Sequence, residues 1–113
     1  MKFEQLTKNN VFIIKLSGDL IGEHSGANLL DAVSNSIQKN VLTCIVDISE
    51  LRYINSSGIG VLITILTKFR NKGGEVYLMN PSDNVKKLLV ITKLNAIFHI
   101  VQSEEEVHNI LKK

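Results

Sequence analysis

After an opening hairpin and its helix, three short apolar runs each give way to a single stretch of helical spacing, and this alternation constrains the chain more than any bulk property. "FEQL" and "VFIIKLSG" read as two strands joined through Lys8–Asn10, whose asparagines supply turn chemistry. In "SGANLLDAVSNSIQKN", Leu29, Leu30, Val33 and Ile37 recur at helical spacing, with Ser25 placed to cap the helix and Asn40 to end it. "TCIVDIS" is short, β-branched and almost wholly apolar, as befits a strand covered on both faces. A second helix runs from about Ser56 to Lys72, where "KGG" gives a basic last turn and a glycine stop. "EVYLMN" is the next strand, Pro81 and Ser82 open the helix "SDNVKKLLVIT", and "AIFHIV" is the last strand. Ser103 and Glu106 then form a capping box ahead of the terminal helix. The order is β-β-α-β-α-β-α-β-α. Strands separated by one helix need crossover connections, so the expected fold is an α/β sandwich with about four helices on a mostly parallel sheet, mixed at the edge that carries the hairpin.

Residues 1–113 are expected to form one domain, since a 12.6 kDa chain of this length buries about two-thirds of its extended surface in one core. The net charge of +2 is spread along the chain, without the basic stripe that nucleic acid requires. No apolar run reaches the ~18–20 residues of a membrane span, Ile59–Leu66 being the longest and containing Gly60 and Thr64. The N-terminus lacks the pattern of a cleaved signal. Cys44, the sole cysteine, sits among strand residues and has no internal disulfide partner, which fits a small core residue in a reducing cytoplasm.

The stretch "YINSSGIGVLITILTKF" carries the chemistry. At about 100° per residue, Val61, Leu62, Ile65, Leu66 and Phe69 share one helix face, and Ile59 and Ile63 widen the apolar arc beyond what a surface helix needs. Ser56, Gly60, Thr64 and Thr67 fall on the opposite side, and all are small. Glycine in a helix costs about 1 kcal/mol relative to alanine, so both glycines need a reason. For Gly58, near the core face, close approach to the sheet suffices. Gly60 would leave a bare surface beside Ser56 on which another protein's backbone can lie. Asn55 or Ser56 caps the helix. A hydroxyl exposed at that end also suits phosphorylation, because a phosphate there faces free N–H donors and the positive end of the helix dipole.

"VDISELRYINSSGIGVLI" resembles the signature of the STAS domain of bacterial anti-sigma factor antagonists, in which an apolar strand ending in aspartate and a short connector precede D-S-[ST]-G-[LI]-G. The likeness extends to "LSGDL" and to the C-terminal third of the chain. It implies a partner-switching protein. In that family the unphosphorylated antagonist binds an anti-sigma factor that is also a serine kinase, which frees the sigma factor. The kinase uses ATP to phosphorylate the first serine of the motif, here Ser56, with Ser57 a second candidate, and a metal-dependent phosphatase reverses the modification. The antagonist itself is not an enzyme and needs no cofactor or bound metal. Two departures stand out: Asn55 replaces the usual aspartate, and the loop "IGEHSG" differs from the family's acidic segment, for which Asp19 and Glu23 are both candidates. The expected contact surface is therefore Asn55, Ser56, Ser57, Gly60 and Thr64 with the acidic loop at Asp19 and Glu23.

Enzymatic readings fare worse. Gly58-Ile59-Gly60 starts a dinucleotide fingerprint, but Ile63 occupies its third glycine position and no Walker lysine follows. His24, His99 and His108 are far apart in sequence, His99 in an apolar segment and the other two expected at the surface. Asp47, at the expected carboxyl end of its strand, invites comparison with response-regulator phosphoacceptors, yet those proteins start with a β-α unit and need an acidic pair after the first strand. The other alternative is a STAS binding module in a different assembly, a stress-signalling scaffold or a transporter-associated subunit, without sigma-factor control.

Overall fold

The computed structural model describes residues 2–21 and 24–111, with the backbone alone for 24–27. The strands are β1 (Lys2–Lys8), β2 (Val11–Leu20), β3 (Thr43–Ile54), β4 (Glu75–Met79) and β5 (His99–Val101), and the α-helices are α1 (His24–Gln38), α2 (Ser56–Arg70), α3 (Asp83–Ile91) and α4 (Glu104–Leu111). A 3₁₀ turn, Leu94–Ala96, precedes β5. The sheet order is β1-β2-β3-β4-β5. β1 pairs antiparallel with β2, and every later pairing is parallel, as single-helix crossovers demand.

Alternation along the strands sets the layers. Phe12, Ile14 and Leu16 of β2, Cys44, Val46 and Ile48 of β3, and Val76 and Leu78 of β4 face the larger core, where they meet Leu29 and Val33 of α1, Leu62, Ile65 and Phe69 of α2, and Val85 and Leu89 of α3. Val11, Ile13, Ile45, Tyr77 and Val101 face the other way, onto Val107 of α4. Three helices thus cover one side and one helix the other.

Local signals behave as their chemistry requires. Asn9 and Asn10 both adopt positive φ, 53° and 64°, giving the two-residue turn whose twist suits a hairpin. Asn40 ends α1 at φ 62° and donates its N–H to the Ile37 carbonyl at 2.9 Å. Ser82 caps α3 by accepting from the Val85 N–H at 3.4 Å. Ser103 accepts from the Glu106 N–H at 3.4 Å, while the Glu106 carboxylate accepts from the N–H of Gln102, one residue earlier than a capping box strictly requires.

Three expectations need correction. α1 begins at His24, so Ser25 lies inside the helix instead of capping it. β5 is shorter than "AIFHIV", because Leu94–Ala96 take a 3₁₀ turn that buries Leu94 and Phe98 before the chain extends. β3 runs on through "ELRYI" to Ile54, since Leu51 and Ile54 are themselves buried and pair with the second half of β2. Two register shifts absorb the extra residues of β3. At the first, the Asp47 carboxylate accepts from the Ser49 N–H at 3.0 Å and the Ser49 hydroxyl at 2.7 Å. Asp47 is therefore a mid-strand residue held by its neighbour, remote from the strand's carboxyl end.

Candidate functional site

The start of α2 is fixed by the end of β2. The Leu20 carbonyl accepts the Asn55 N–H at 3.2 Å, and Asn55 sits in extended conformation as the helix cap. Its side-chain oxygen accepts from the Gly58 N–H at 2.8 Å, and its backbone carbonyl accepts from the Ile59 N–H at 2.9 Å. Asn55, not Ser56, is thus the cap. A methyl group at Gly58 would collide with the Leu20 carbonyl oxygen and the Ile54 side chain, so glycine alone lets the helix approach this closely.

Ser56 is the first helical residue, and it is exposed. Its amide and that of Ser57 precede the first helical hydrogen bond, so both are donors without an intrahelical partner. Ser57 and Gly60 are also exposed, and a Cβ added at Gly60 would meet no atom within 4 Å. Thr64 is half-buried, its hydroxyl donating to the Gly60 carbonyl at 2.8 Å, and Thr67 repeats that arrangement toward Ile63 at 2.9 Å. The outer face of α2 is therefore uncharged and low from Ser56 to Thr67. Its inner face buries Val61, Leu62, Ile65, Leu66 and Phe69, while Ile63 stays 38% exposed at the margin.

Asp19 lies at the same end of the sheet, opposite Tyr53 in register and one residue before Leu20. Its carboxylate stands 3.5 Å from the Arg52 guanidinium, and both side chains are well exposed. Glu23 lies outside the described residues. Sequence reasoning missed Arg52, which partly offsets the charge of Asp19, and missed the exposed apolar groups Ile21 and Tyr53 beside it. Ile21, Asp19 and Arg52 line a shallow groove with Lys2, Ser17 and Gly18. The second register shift, between Gly18 and Asp19, makes Arg52 the extra residue of β3 beside Asp19, and that shift is not written in the residue pattern.

Elsewhere, His99 is exposed rather than embedded, its Nε2 standing 3.5 Å from Glu75 and its ring tilted at 31° against Tyr77, with centroids 5.3 Å apart. Glu75 also binds Arg70 at 3.0 Å, which makes this an ion-pair cluster at the β4–β5 edge. Among the described residues no group of three or more His, Cys, Asp or Glu side chains gathers as metal ligands would, and no helix is long and apolar enough to cross a membrane.

The chain is thus an α/β domain, a five-stranded mixed sheet with a serine-headed helix packed at the end of its second strand. The family model for the STAS domain matches residues 2–107, and the chain belongs to that family. An anti-sigma-B factor antagonist of Staphylococcus aureus is 22% identical over 105 residues, covering 93% of this chain and 96% of its own. Among solved structures, a Thermotoga maritima protein described as a candidate anti-sigma factor antagonist superposes with a TM-score of 0.87 at 21% identity, covering 98% of this chain and 95% of its own. The Bacillus cell-fate determinant SpoIIAA has been solved both unphosphorylated, as an anti-sigma factor antagonist, and phosphorylated. It superposes with TM-scores of 0.74 and 0.75, at 21% and 22% identity, covering 98% and 97% of this chain and 98% and 99% of its own.

Proposed function

We propose that this protein is an anti-sigma factor antagonist switched by phosphorylation of Ser56. In its free form it docks on an anti-sigma factor that is also a serine kinase, through Asn55, Ser56, Ser57, Gly60 and Thr64 together with Asp19 and Glu23, and so releases a sigma factor. The kinase transfers the γ-phosphoryl group of ATP to the Ser56 oxygen, the modified protein leaves, and a serine phosphatase restores it. This protein is the substrate throughout, acting in the cytoplasm without catalysis of its own.

One observation carries the reading: Asn55 does the capping, which leaves the neighbouring Ser56 hydroxyl exposed and unneeded by the fold. A phosphate placed there would change the formal charge from +2 to about zero. The helix end favours that anion, so the fold survives, and the bulk and charge fall on the docked partner. The existence of both forms of the Bacillus neighbour supports the same switch.

The test is a kinase-dependent mass shift on wild type, Ser56→Ala and Ser56→Asp, with binding measured in parallel. Ser56→Ala should fold and bind but take no phosphate, and Ser56→Asp should bind poorly. Undiminished incorporation in Ser56→Ala would remove the site. Purification from the native cell with a large multi-subunit particle or a transporter, in place of a small kinase, would remove the sigma-factor assignment.

A further inference from the structure

We propose that the free edge of β1 pairs with β1 of a second copy, antiparallel and centred on Leu6, to make a twofold dimer with a continuous ten-stranded sheet. β1 is the outer strand at its edge of the sheet, seven residues long, and its one large exposed apolar side chain is Leu6, 55% exposed. A long edge strand is ordinarily blunted by charge, bulge or proline; β1 has no proline or bulge, and its charges, Lys2, Glu4 and Lys8, leave Leu6 uncovered between them.

The hairpin fixes which backbone groups are available. In a two-residue turn with both φ values positive, the closing pair Lys8–Val11 is hydrogen-bonded, so Lys8, Leu6 and Glu4 direct their backbone groups at β2. Hydrogen bonding alternates along an antiparallel pair, so Thr7, Gln5 and Phe3 present theirs outward. Two copies related by a twofold axis can then pair outward groups only when centred on a residue of the strand.

Charge decides among those centres. Centring on Gln5 opposes Lys2 and Lys8, like charges at both ends, and centring on Glu4 opposes Glu4 with itself. Centring on Phe3 or Thr7 runs off the strand after one residue on one side. Centring on Leu6 places Glu4 opposite Lys8 twice, Gln5 opposite Thr7 twice with their backbone groups hydrogen-bonded, and Leu6 against Leu6 of the second copy. All three of Glu4, Leu6 and Lys8 point to the face that carries α4, where Lys8 already reaches Glu104 at 3.1 Å. Lys8 would then bridge Glu104 and Glu4 of the second copy.

A five-residue ladder buries less than the ~1,000 Å² of a stable interface, so the association is transient and concentration-dependent. It also leaves the proposed switch free. Glu4–Lys8 pairs with Lys15–Val11 of β2, next to the start of β3, whereas Ser56 follows the other end of β3. The dimer would therefore present two docking surfaces at once.

Site-specific disulfide capture reads the register directly. In a non-hydrogen-bonded antiparallel pair the Cα atoms are about 4.5 Å apart, within the ~4.4–6.8 Å span of a disulfide. Leu6→Cys should form a covalent dimer on mild oxidation, seen on a non-reducing gel, while Gln5→Cys and Thr7→Cys, each opposite the other type of residue, should not. Cys44 is fully buried and does not compete. Failure of Leu6→Cys to link, or equal linking by Gln5→Cys, would overturn the proposal. By sedimentation, wild type should self-associate as concentration rises and Leu6→Glu, exposed and harmless to the core, should remain monomeric. A wild type that stays monomeric throughout, or a Leu6→Glu that associates equally well, would overturn it too.

Discussion

Gly58 and Gly60 stand two residues apart in one helix, yet the structure assigns them opposite responses to the same substitution. At Gly58 an added methyl collides with the Leu20 carbonyl oxygen, a backbone atom already engaged by the Asn55 N–H at 3.2 Å. That atom cannot swing aside as a side chain could, so relief requires α2 to lift from the end of β2. Overpacking of this kind typically costs about 1–3 kcal/mol, against which the better helix propensity of alanine returns up to about 1 kcal/mol. The net expectation for Gly58→Ala is a loss of about 1–2 kcal/mol. At Gly60 nothing lies within 4 Å, so Gly60→Ala keeps only the propensity gain, up to about 1 kcal/mol. Because the propensity gain is common to both, the two variants should differ by the overpacking cost alone, roughly 1–3 kcal/mol, and lie on either side of wild type. Urea denaturation of all three proteins with a common m-value measures this, and the corresponding melting temperatures should separate by roughly 3–18 °C for a domain of this size. A Gly58→Ala protein as stable as wild type would refute the close-approach argument. A destabilised Gly60→Ala would show that the outer face of α2 is not bare.

Asn55→Ala should lose about 1 kcal/mol in the same assay, because the Gly58 N–H loses its partner. Asn55→Asp should keep the cap and gain about 0.3–1 kcal/mol from a negative charge at the helix N-terminus. The bond to the Gly58 N–H would hold that carboxyl below its unfolded value near 4, so the gain should be complete above about pH 4 and vanish as acid protonates the folded form. An Asn55→Asp advantage that persists unchanged below about pH 2 would contradict this account. Burial pushes the Cys44 thiol well above its ordinary range, and the side chain has no exposed surface. A thiol reagent at neutral pH should therefore label it only through unfolding, at a rate that rises with denaturant, and prompt stoichiometric labelling of native protein would argue against the buried position.

Much of this fold was legible because its signals are local. Asn9 and Asn10 announce the hairpin, Asn40 the end of α1, and Ser82 the start of α3, each through backbone chemistry that neighbouring residues alone decide. The inner face of α2 follows in the same way from spacing. What the sequence hid depends on partners distant in the chain. The extension of β3 through Leu51 to Ile54 exists because the end of β2 is there to receive it, and two register shifts destroy the period that would have signalled a strand. The Asp19–Arg52 contact is invisible without that extension, and so is the exposure of Tyr53 beside it. "AIFHIV" looked like a strand on propensity, whereas the burial of Leu94 and Phe98 holds its first half in a turn.

The four residues that open α2 divide their tasks so that the fold and the proposed switch can vary independently. Asn55 carries the cap, Gly58 the contact with β2, and Gly60 the low outer surface, which leaves Ser56 with no structural duty that a phosphate would interrupt. Had the serine been the cap, its hydroxyl would have been committed to a first-turn N–H, and modifying it would have weakened the helix while weakening docking. Moving the cap one residue earlier separates these effects. Changes at Gly58 should then register chiefly in stability, changes at Ser56 chiefly in binding, and changes at Asn55, which both caps the helix and borders the proposed docking surface, in both. Asn55 is the informative exception to the family's aspartate, since both side chains accept from the Gly58 N–H and only their charge differs. A difference between Asn55 and Asp at this position in phosphate uptake should therefore arise from charge, acting at Ser56 or on the docked kinase, with the cap geometry held constant.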